Sequence, residues 1–300
     1  ISRQSSINQT MVVGRFAPSP TGDLHFGSLV SAVGSYLEAK SAGGLWLLRI
    51  EDIDPPREIA GSAGRIIDDL ASLGLIPDGP VLYQSTRLDA YQEAIDQLLN
   101  EDMAFACACS RKDLSKSGRY PGTCRNGITS GKPPRSIRFR VNGGNSVFND
   151  KLQGPISESL AETSGDFIIK RADGLFAYQL AVVVDDEFQG ITQVVRGADL
   201  LDSTARQISL QKALGYHSPD YMHLPVVMSI VGKKLSKRFG ADPVKHQSPA
   251  ITITRALQFL NQDPPTGLSL RELWQWALAH WNSDLIPRET AISPNGILTG

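Results

Sequence analysis

Residues 12–28 read VVGRFAPSPTGDLHFGS. The apolar start predicts a buried strand over Val12 to Ala17. The run that follows, LVSAVGSYLEAK, has the spacing of a helix over Ser28 to Lys40, stopped at Gly43-Gly44. Pro18, Pro20, Gly22, His25 and Gly27 stand between the two, which is more than a plain connection needs. In open parallel sheets, ligands bind beyond the carboxyl ends of the strands. A helix N-terminus there offers free N–H groups and partial positive charge, suited to phosphate. Gly22 and Gly27 allow close approach, the prolines hold the turn, and His25 can hydrogen-bond a phosphate or ribose. The glycine pattern is neither a Walker loop nor a dinucleotide fingerprint. By itself the stretch is either a shaped turn or a nucleotide site.

Outward from this junction, LWLLRI (Leu45 to Ile50) predicts a second strand and EDID closes it. Helices are expected over Glu58 to Leu73 and Asp89 to Asn100, with a short strand at VLYQS. Strand–helix alternation of this kind implies α/β architecture: a Rossmann-like parallel sheet with helices on its faces. The pattern breaks over 104–175, where SIRFRV alternates like an antiparallel strand. That span is expected to be an inserted α+β subdomain. Alternation resumes with AYQLAVVVDD, predicted as a buried strand ending in two acids, then the strand ITQVVRGAD and a helix from Ser203 to Leu214. The expected organisation is a disordered tail (1–10), a catalytic half (11–103), the insertion (104–175), a second catalytic half (176–240) and a short helical region (241–300).

Composition is that of a soluble globular protein, 41% hydrophobic and 20% charged, with net charge -1. No stretch reaches the roughly 18 apolar residues of a spanning helix, and residues 1–10 lack the apolar core of a secretion signal. A cytoplasmic location without membrane contact is therefore expected. Three clustered cysteines, Cys107, Cys109 and Cys124, argue against a disulfide framework. Charge is unevenly placed: residues 1–109 carry 14 acidic and 7 basic groups, whereas 110–140 carry nine basic groups and one acid. Such a block is either a footprint for RNA or a solvated loop.

GKKLSKRFG adds a second feature. Lys233, Lys234, Lys237 and Arg238 cannot share a core without partners. Flanking glycines suit a loop that closes on a polyphosphate and stabilises charge developing there; a solvated basic loop has the same composition.

Together the two features are specific. HFGS and KLSKR resemble the paired signatures of class I aminoacyl-tRNA synthetases. RFAPSPTGDLHFG, LRIEDIDPPRE, FAYQLAVVVDD, GITQVVRGADLLDSTARQISLQKALG and HLPVVM resemble the glutamyl-tRNA synthetase family, in order, over about 12–240. The resemblance implies activation of L-glutamate with ATP and Mg2+ to glutamyl-adenylate, followed by transfer to tRNA. It implies glutamate contacts from Arg15, Ala17, Ser19, Glu51, Tyr178 and Arg196. ATP contacts are implied for Gly22, His25, Gly27, Lys234 and Lys237, with His25 and Lys237 serving catalysis. The charges match: glutamate brings two carboxylates and one ammonium, against Arg15, Arg196 and Glu51. The resemblance also implies a structural Zn2+ held by Cys107, Cys109, Cys124 and, as fourth ligand, Tyr120. Spacing alone leaves zinc and three buried thiols equally open.

Some positions depart from the pattern. Ser28 stands where class I enzymes often carry a second histidine, and Ala198 replaces an acid usual in glutamyl enzymes. The 62 residues after Arg238 are too few for a helical anticodon-binding portion. The chain thus resembles the branch that places glutamate on queuosine in the anticodon of tRNA(Asp), where exposed loop bases would be read. A minimal enzyme charging a tRNA 3′ end and an inactive RNA-binding paralogue are the alternatives. A monomer is the expected state.

Overall fold

The computed structural model describes residues 11–113, 119–129, 131–228 and 248–293. The first half runs β1 (Val13–Phe16), α1 (Phe26–Ser41), β2 (Leu45–Ile50), α2 (Ser62–Ser72), β3 (Leu82–Tyr83) and α3 (Leu88–Asn100). Then come β4 (Ala104–Cys107), β5 (Ser136–Phe139), β6 (Ser146–Asp150), β7 (Gly154–Glu158) and β8 (Ile168–Lys170). The remainder is α4 (Tyr178–Phe188), β9 (Gln193–Gly197), α5 (Leu201–Leu214), β10 (Asp220–Leu224), β11 (Val226–Val227), α6 (Pro249–Phe259), α7 (Leu270–His280) and β12 (Ala291–Ile292).

β1, β2 and β3 form a parallel ladder, with Val13 opposite Leu45 and Arg49 opposite Leu82. β9 and β10 form a second parallel ladder. The two meet where the Thr192 N–H donates to the Val13 carbonyl at 3.0 Å and the Val13 N–H to Thr192 Oγ1 at 2.8 Å. β1 and β9 thus lie side by side at the centre, and their carboxyl ends point the same way.

α1 covers this centre. Leu29, Ala32, Val33 and Leu37 are fully buried in its apolar stripe. Gly34 sets its distance from the sheet: a Cβ there would lie 2.5 Å from Leu224 Cδ1. A larger residue would cost about 1–3 kcal/mol in overpacking. Trp46 of β2 anchors the strand to the helix, its indole N–H donating to Ser35 Oγ at 3.0 Å and its ring stacking on Phe16.

The C-terminal helices belong to the same core. Phe259 meets Phe26 edge to face, the Trp274 indole donates to the Leu73 carbonyl (2.9 Å), and the Trp281 indole donates to Glu38 (2.7 Å). Ser269 and Glu272 form a capping box that starts α7. The helices expected in the 241–300 region therefore buttress α1.

Three expectations need correction or division. AYQLAVVVDD is helix α4, not a strand. Leu180 to Val184 are all buried between α3, α5 and the β8 segment, and an element buried on every side shows no period. The α2 helix begins at Ser62, later than expected: a 3-10 turn takes Pro55–Arg57, and Gly61 turns with φ +73° before the helix starts. The 104–175 span is divided in two. β4, β5 and β8 make an antiparallel sheet as SIRFRV suggested. The β6–β7 hairpin instead joins the main sheet, pairing with β10 at Tyr221 and Asp150. The tail at 1–10 and the GKKLSKRFG segment lie outside the described residues. No described helix is long and apolar enough to cross a membrane.

Candidate active site

A cavity of about 820 Å³ opens at the carboxyl ends of β1, β2 and β9. Arg15 stands in β1, and Ala17 and Ser19 follow it; Glu51 follows β2; Arg196 is the penultimate residue of β9; Tyr178 begins α4. All six line the cavity, as do His25 and Gly27. The Glu51 N–H donates to the Pro18 carbonyl at 3.0 Å, tying the loops after β1 and β2 together.

The floor is a network of buried charges. Arg15 donates through Nε (3.1 Å) and Nη2 (3.4 Å) to the two oxygens of Asp186. Arg49, fully buried, donates through Nη1 to Asp186 and to Gln189, both at 2.8 Å. Its Nη2 lies 3.5 Å from Glu51 Oε1. Burial pushes the Asp186 carboxyl up, but Arg15 and Arg49 outweigh it and hold it below its ordinary value. Next door, Asp185 accepts from Arg87 (3.1 Å), Gln84 (3.0 Å) and the Tyr91 hydroxyl (2.6 Å). These pairs lock α4 to β1, β2 and α3; removing one partner of such a pair costs about 3–5 kcal/mol.

Two groups in this network face the cavity with unmet demands. Glu51 Oε1 is buried and, although 3.5 Å from Arg49 Nη2, accepts no hydrogen bond among the described residues. Burial pushes its carboxyl up to about 7, against the pull of Arg49 and Arg15. Arg196, 5% exposed, bonds only to neutral groups among the described residues: His223 Nε2 (3.0 Å), Thr204 Oγ1 (2.9 Å), the Leu200 carbonyl and the Tyr178 hydroxyl (both 3.4 Å). A buried guanidinium without a carboxylate and a buried carboxylate oxygen without a donor together fit a ligand that carries both charges.

The nucleotide side is built from the 17–28 turn. Gly22 adopts φ +139°, open to glycine alone. Ser62 Oγ donates to its carbonyl (2.6 Å) and accepts from its N–H (3.1 Å). His25 is the N-cap of α1: Nδ1 accepts from the Ser28 N–H at 3.2 Å, and Nε2 lies 3.0 Å from Ser28 Oγ. An accepting Nδ1 leaves the proton on Nε2. Ser28, the departure from the common pattern, is thus the partner of that histidine. Lys234 and Lys237 lie outside the described residues.

Residues 11–248 match the family described as tRNA synthetases class I (E and Q), catalytic domain. The chain belongs to this family. It is 51% identical over 291 residues to a Glutamyl-Q tRNA(Asp) synthetase of Dechloromonas aromatica, spanning 93% of this chain and 97% of that one. It is 48% identical over 284 residues to one from Pseudomonas paraeruginosa. Among solved structures, a glutamate tRNA ligase from Elizabethkingia meningosepticum in complex with its amino acid superposes with a TM-score of 0.80. It is 26% identical, and the match covers 96% of this chain and 68% of that one. Class I synthetases are ligases, and as a class they use ATP and Mg2+; this chain is a ligase.

A second cluster in this synthetase begins at the last residue of β4. The sulfurs of Cys107, Cys109 and Cys124 all lie within 4.8 Å of one another. Cys109 and Cys124 are 3.6 Å apart, and the Tyr120 hydroxyl sits 3.4 Å from Cys107 and 3.8 Å from Cys109. Four donors about 3.8 Å apart are what tetrahedral zinc with 2.3 Å bonds requires, so the donor set fits the metal. Burial raises the Cys107 thiol, but Tyr120 and Arg138 outweigh it and bring it to about 7.

The basic block around it divides by use. Arg125 pairs with Asp166, and Arg140 with Asp102. Arg138 is buried, 3.9 Å over the Tyr120 ring, its Nε 3.3 Å from Cys107 Sγ. Those three hold the subdomain together; Lys112, Arg119, Lys132 and Arg135 are exposed. The sequence reading missed Arg49, Asp185, Asp186, His223 and Thr204. For Arg49, Asp185 and Asp186 the signal was charge inside apolar runs (the arginine of LWLLRI, the paired acids of AVVVDD), which a core admits only in pairs; His223 and Thr204 carried no such signal.

Proposed function

We propose that this ligase activates L-glutamate with ATP and transfers it to queuosine in the anticodon of tRNA(Asp). The observation that carries the reading is the charge pattern of the cavity: Glu51, whose Oε1 accepts no hydrogen bond among the described residues, lines it together with Arg15 and Arg196. Glu51 takes the substrate ammonium. Arg15 and Arg196 take the carboxylates, Tyr178 borders Arg196, and Ala17 and Ser19 line the wall between the amino acid and the nucleotide. No protein nucleophile is required; positioning and charge stabilisation suffice.

In the first step a glutamate carboxylate oxygen bonds to the α-phosphorus. The bond to the β-phosphate breaks, and its electron pair leaves with pyrophosphate. Gly27 and the N-terminus of α1 receive the phosphates, Gly22 shapes the turn with both its backbone groups held by Ser62, and His25 offers its Nε2 proton by exchanging Ser28 Oγ for a phosphate oxygen. Lys234 and Lys237 supply positive charge as pyrophosphate departs. Mg2+ bound with ATP would add charge neutralisation at the phosphates. In the second step an acceptor hydroxyl bonds to the acyl carbon, AMP leaves with the electron pair, and the hydroxyl proton is released. A zinc ion held by Cys107, Cys109, Tyr120 and Cys124 would brace the subdomain that presents Lys132 and Arg135 to RNA.

The queuosine acceptor rests on the relatives' names and their identity to nearly the whole chain. Activation is tested by ATP–pyrophosphate exchange. Exchange that depends on glutamate and not on glutamine or aspartate supports the pocket reading, and exchange that ignores the amino acid refutes it.

A further inference from the structure

His223 lies on β10, directly opposite Arg196 in the β9–β10 register. It is fully buried, and so, at 1% exposed, is Asp150 at the end of β6. The Asp150 Oδ2 is 2.6 Å from His223 Nδ1. On the other side of the ring, Nε2 accepts from Arg196 Nε at 3.0 Å. An arginine N–H donates only to a bare ring nitrogen, so Nε2 is unprotonated and the proton sits on Nδ1, facing Asp150. Tyr221 stacks on the imidazole at 6.2 Å and 10° and fixes its plane.

Asp150 has its own orientation fixed. Its Oδ1 accepts three backbone N–H groups: Leu152 (3.1 Å), Gln153 (2.9 Å) and His223 (3.2 Å). One carboxylate oxygen is therefore committed to the hairpin turn and the other to the histidine. Burial favours a neutral Asp150, yet the His223 and Gln153 hydrogen bonds prevail and hold the carboxyl low; burial keeps His223 below its ordinary value, in its neutral form.

We propose that Asp150 and His223 are positioning residues for glutamate binding: Asp150 selects the His223 tautomer whose bare Nε2 aims the Arg196 guanidinium at the substrate carboxylate. Through this chain the β6–β7 hairpin, a segment outside the signature motifs, governs the amino-acid pocket. The inference rests on Arg196 being a glutamate ligand.

Asp150→Asn is the informative change because it is nearly isosteric. Three N–H groups already claim the position of Oδ1, so the single oxygen of asparagine stays there and its NH2 faces His223 Nδ1. The ring proton must then move to Nε2, where it meets the Arg196 Nε–H donor against donor and finds only Thr204 Oγ1, 3.3 Å away and already accepting from Arg196 Nη2. The corresponding substitution in serine protease triads acts through the same tautomer reversal.

The test uses the full-length enzyme, with glutamate-dependent ATP–pyrophosphate exchange and 15N-histidine NMR. Asp150→Asn is expected to move the His223 proton from Nδ1 to Nε2. It should also raise the glutamate KM about thirtyfold, as expected for losing a well-aimed charged hydrogen bond, with the ATP KM within twofold of wild type. His223→Gln, which retains an acceptor for Arg196, should be less affected than His223→Phe. An unchanged tautomer in Asp150→Asn overturns the proposal, as does an equal rise in both KM values. If Asp150→Asn does not fold, equal glutamate KM values for His223→Gln and His223→Phe overturn it. Absence of glutamate-dependent exchange in wild type would instead refute the functional reading, leaving the tautomer measurement to decide the positioning chain.

Discussion

Replacing Glu51 by glutamine removes a buried carboxylate that lines the cavity and whose Oε1 accepts no hydrogen bond among the described residues. The side chain is 8% exposed, so a ligand ammonium beside it would be desolvated too. Losing one partner of such a pair costs about 3 kcal/mol, which is about 150-fold in glutamate KM. Acidity gives an independent signature. Burial raises the Glu51 carboxyl to about 7, and an ammonium ligand needs it ionised. Above that pH the glutamate KM should be flat; below it, each unit should raise KM about tenfold, because binding must first remove a proton. The same shift acts on stability. The folded group titrates above its unfolded value near 4.5, so the folded form holds the extra proton. Its contribution is most favourable below about 4.5 and is lost as pH rises toward 7. Glu51→Gln should therefore raise the melting temperature of ligand-free protein at pH 8, by up to roughly 3 kcal/mol of stability, and barely at pH 4.5. Exchange assays from pH 6 to 8 and calorimetry measure both. A variant with the wild-type glutamate KM would refute the assignment.

Further outcomes follow from the same geometry. Arg196→Lys should raise the glutamate KM about thirtyfold although charge is kept, because lysine cannot bond His223, Thr204 and a carboxylate in one plane; steady-state exchange kinetics would show it. Lys237→Ala should lower the exchange rate about 150-fold, the loss of one pre-organised donor, and a near-normal rate would discount that lysine. Elemental analysis should find one zinc per chain, and Cys124→Ser should reduce it and lower the melting temperature. A metal-free protein with intact thiols would exclude the four-ligand site.

How far the sequence could be read depended on what each residue type reveals. LWLLRI gave β2 at its observed bounds because a short apolar run closed by acids has few other fates. AVVVDD misled because α4 is buried on every side, so β-branched residues outweighed a period that was not there to be seen. Arg15, Glu51, Tyr178 and Arg196 were reached through resemblance, and the structure places all four around one cavity. The supporting charges were hidden for a physical reason. Arg49 and Asp186 are 137 residues apart, and Asp150 and His223 are 73 apart; no local pattern links partners that only the tertiary fold brings together. His25 was legible as a polar group at a helix start, but not as the cap that Ser28 holds in place.

The acceptor is tested directly by following the label. Labelled glutamate and ATP should be incubated with the enzyme and either tRNA(Asp) bearing queuosine, tRNA(Asp) lacking it, or tRNA(Glu). The label should appear on queuosine-bearing tRNA(Asp) alone and remain with its anticodon fragment after nuclease cleavage. Label on the 3′-terminal fragment of tRNA(Glu) would contradict the account.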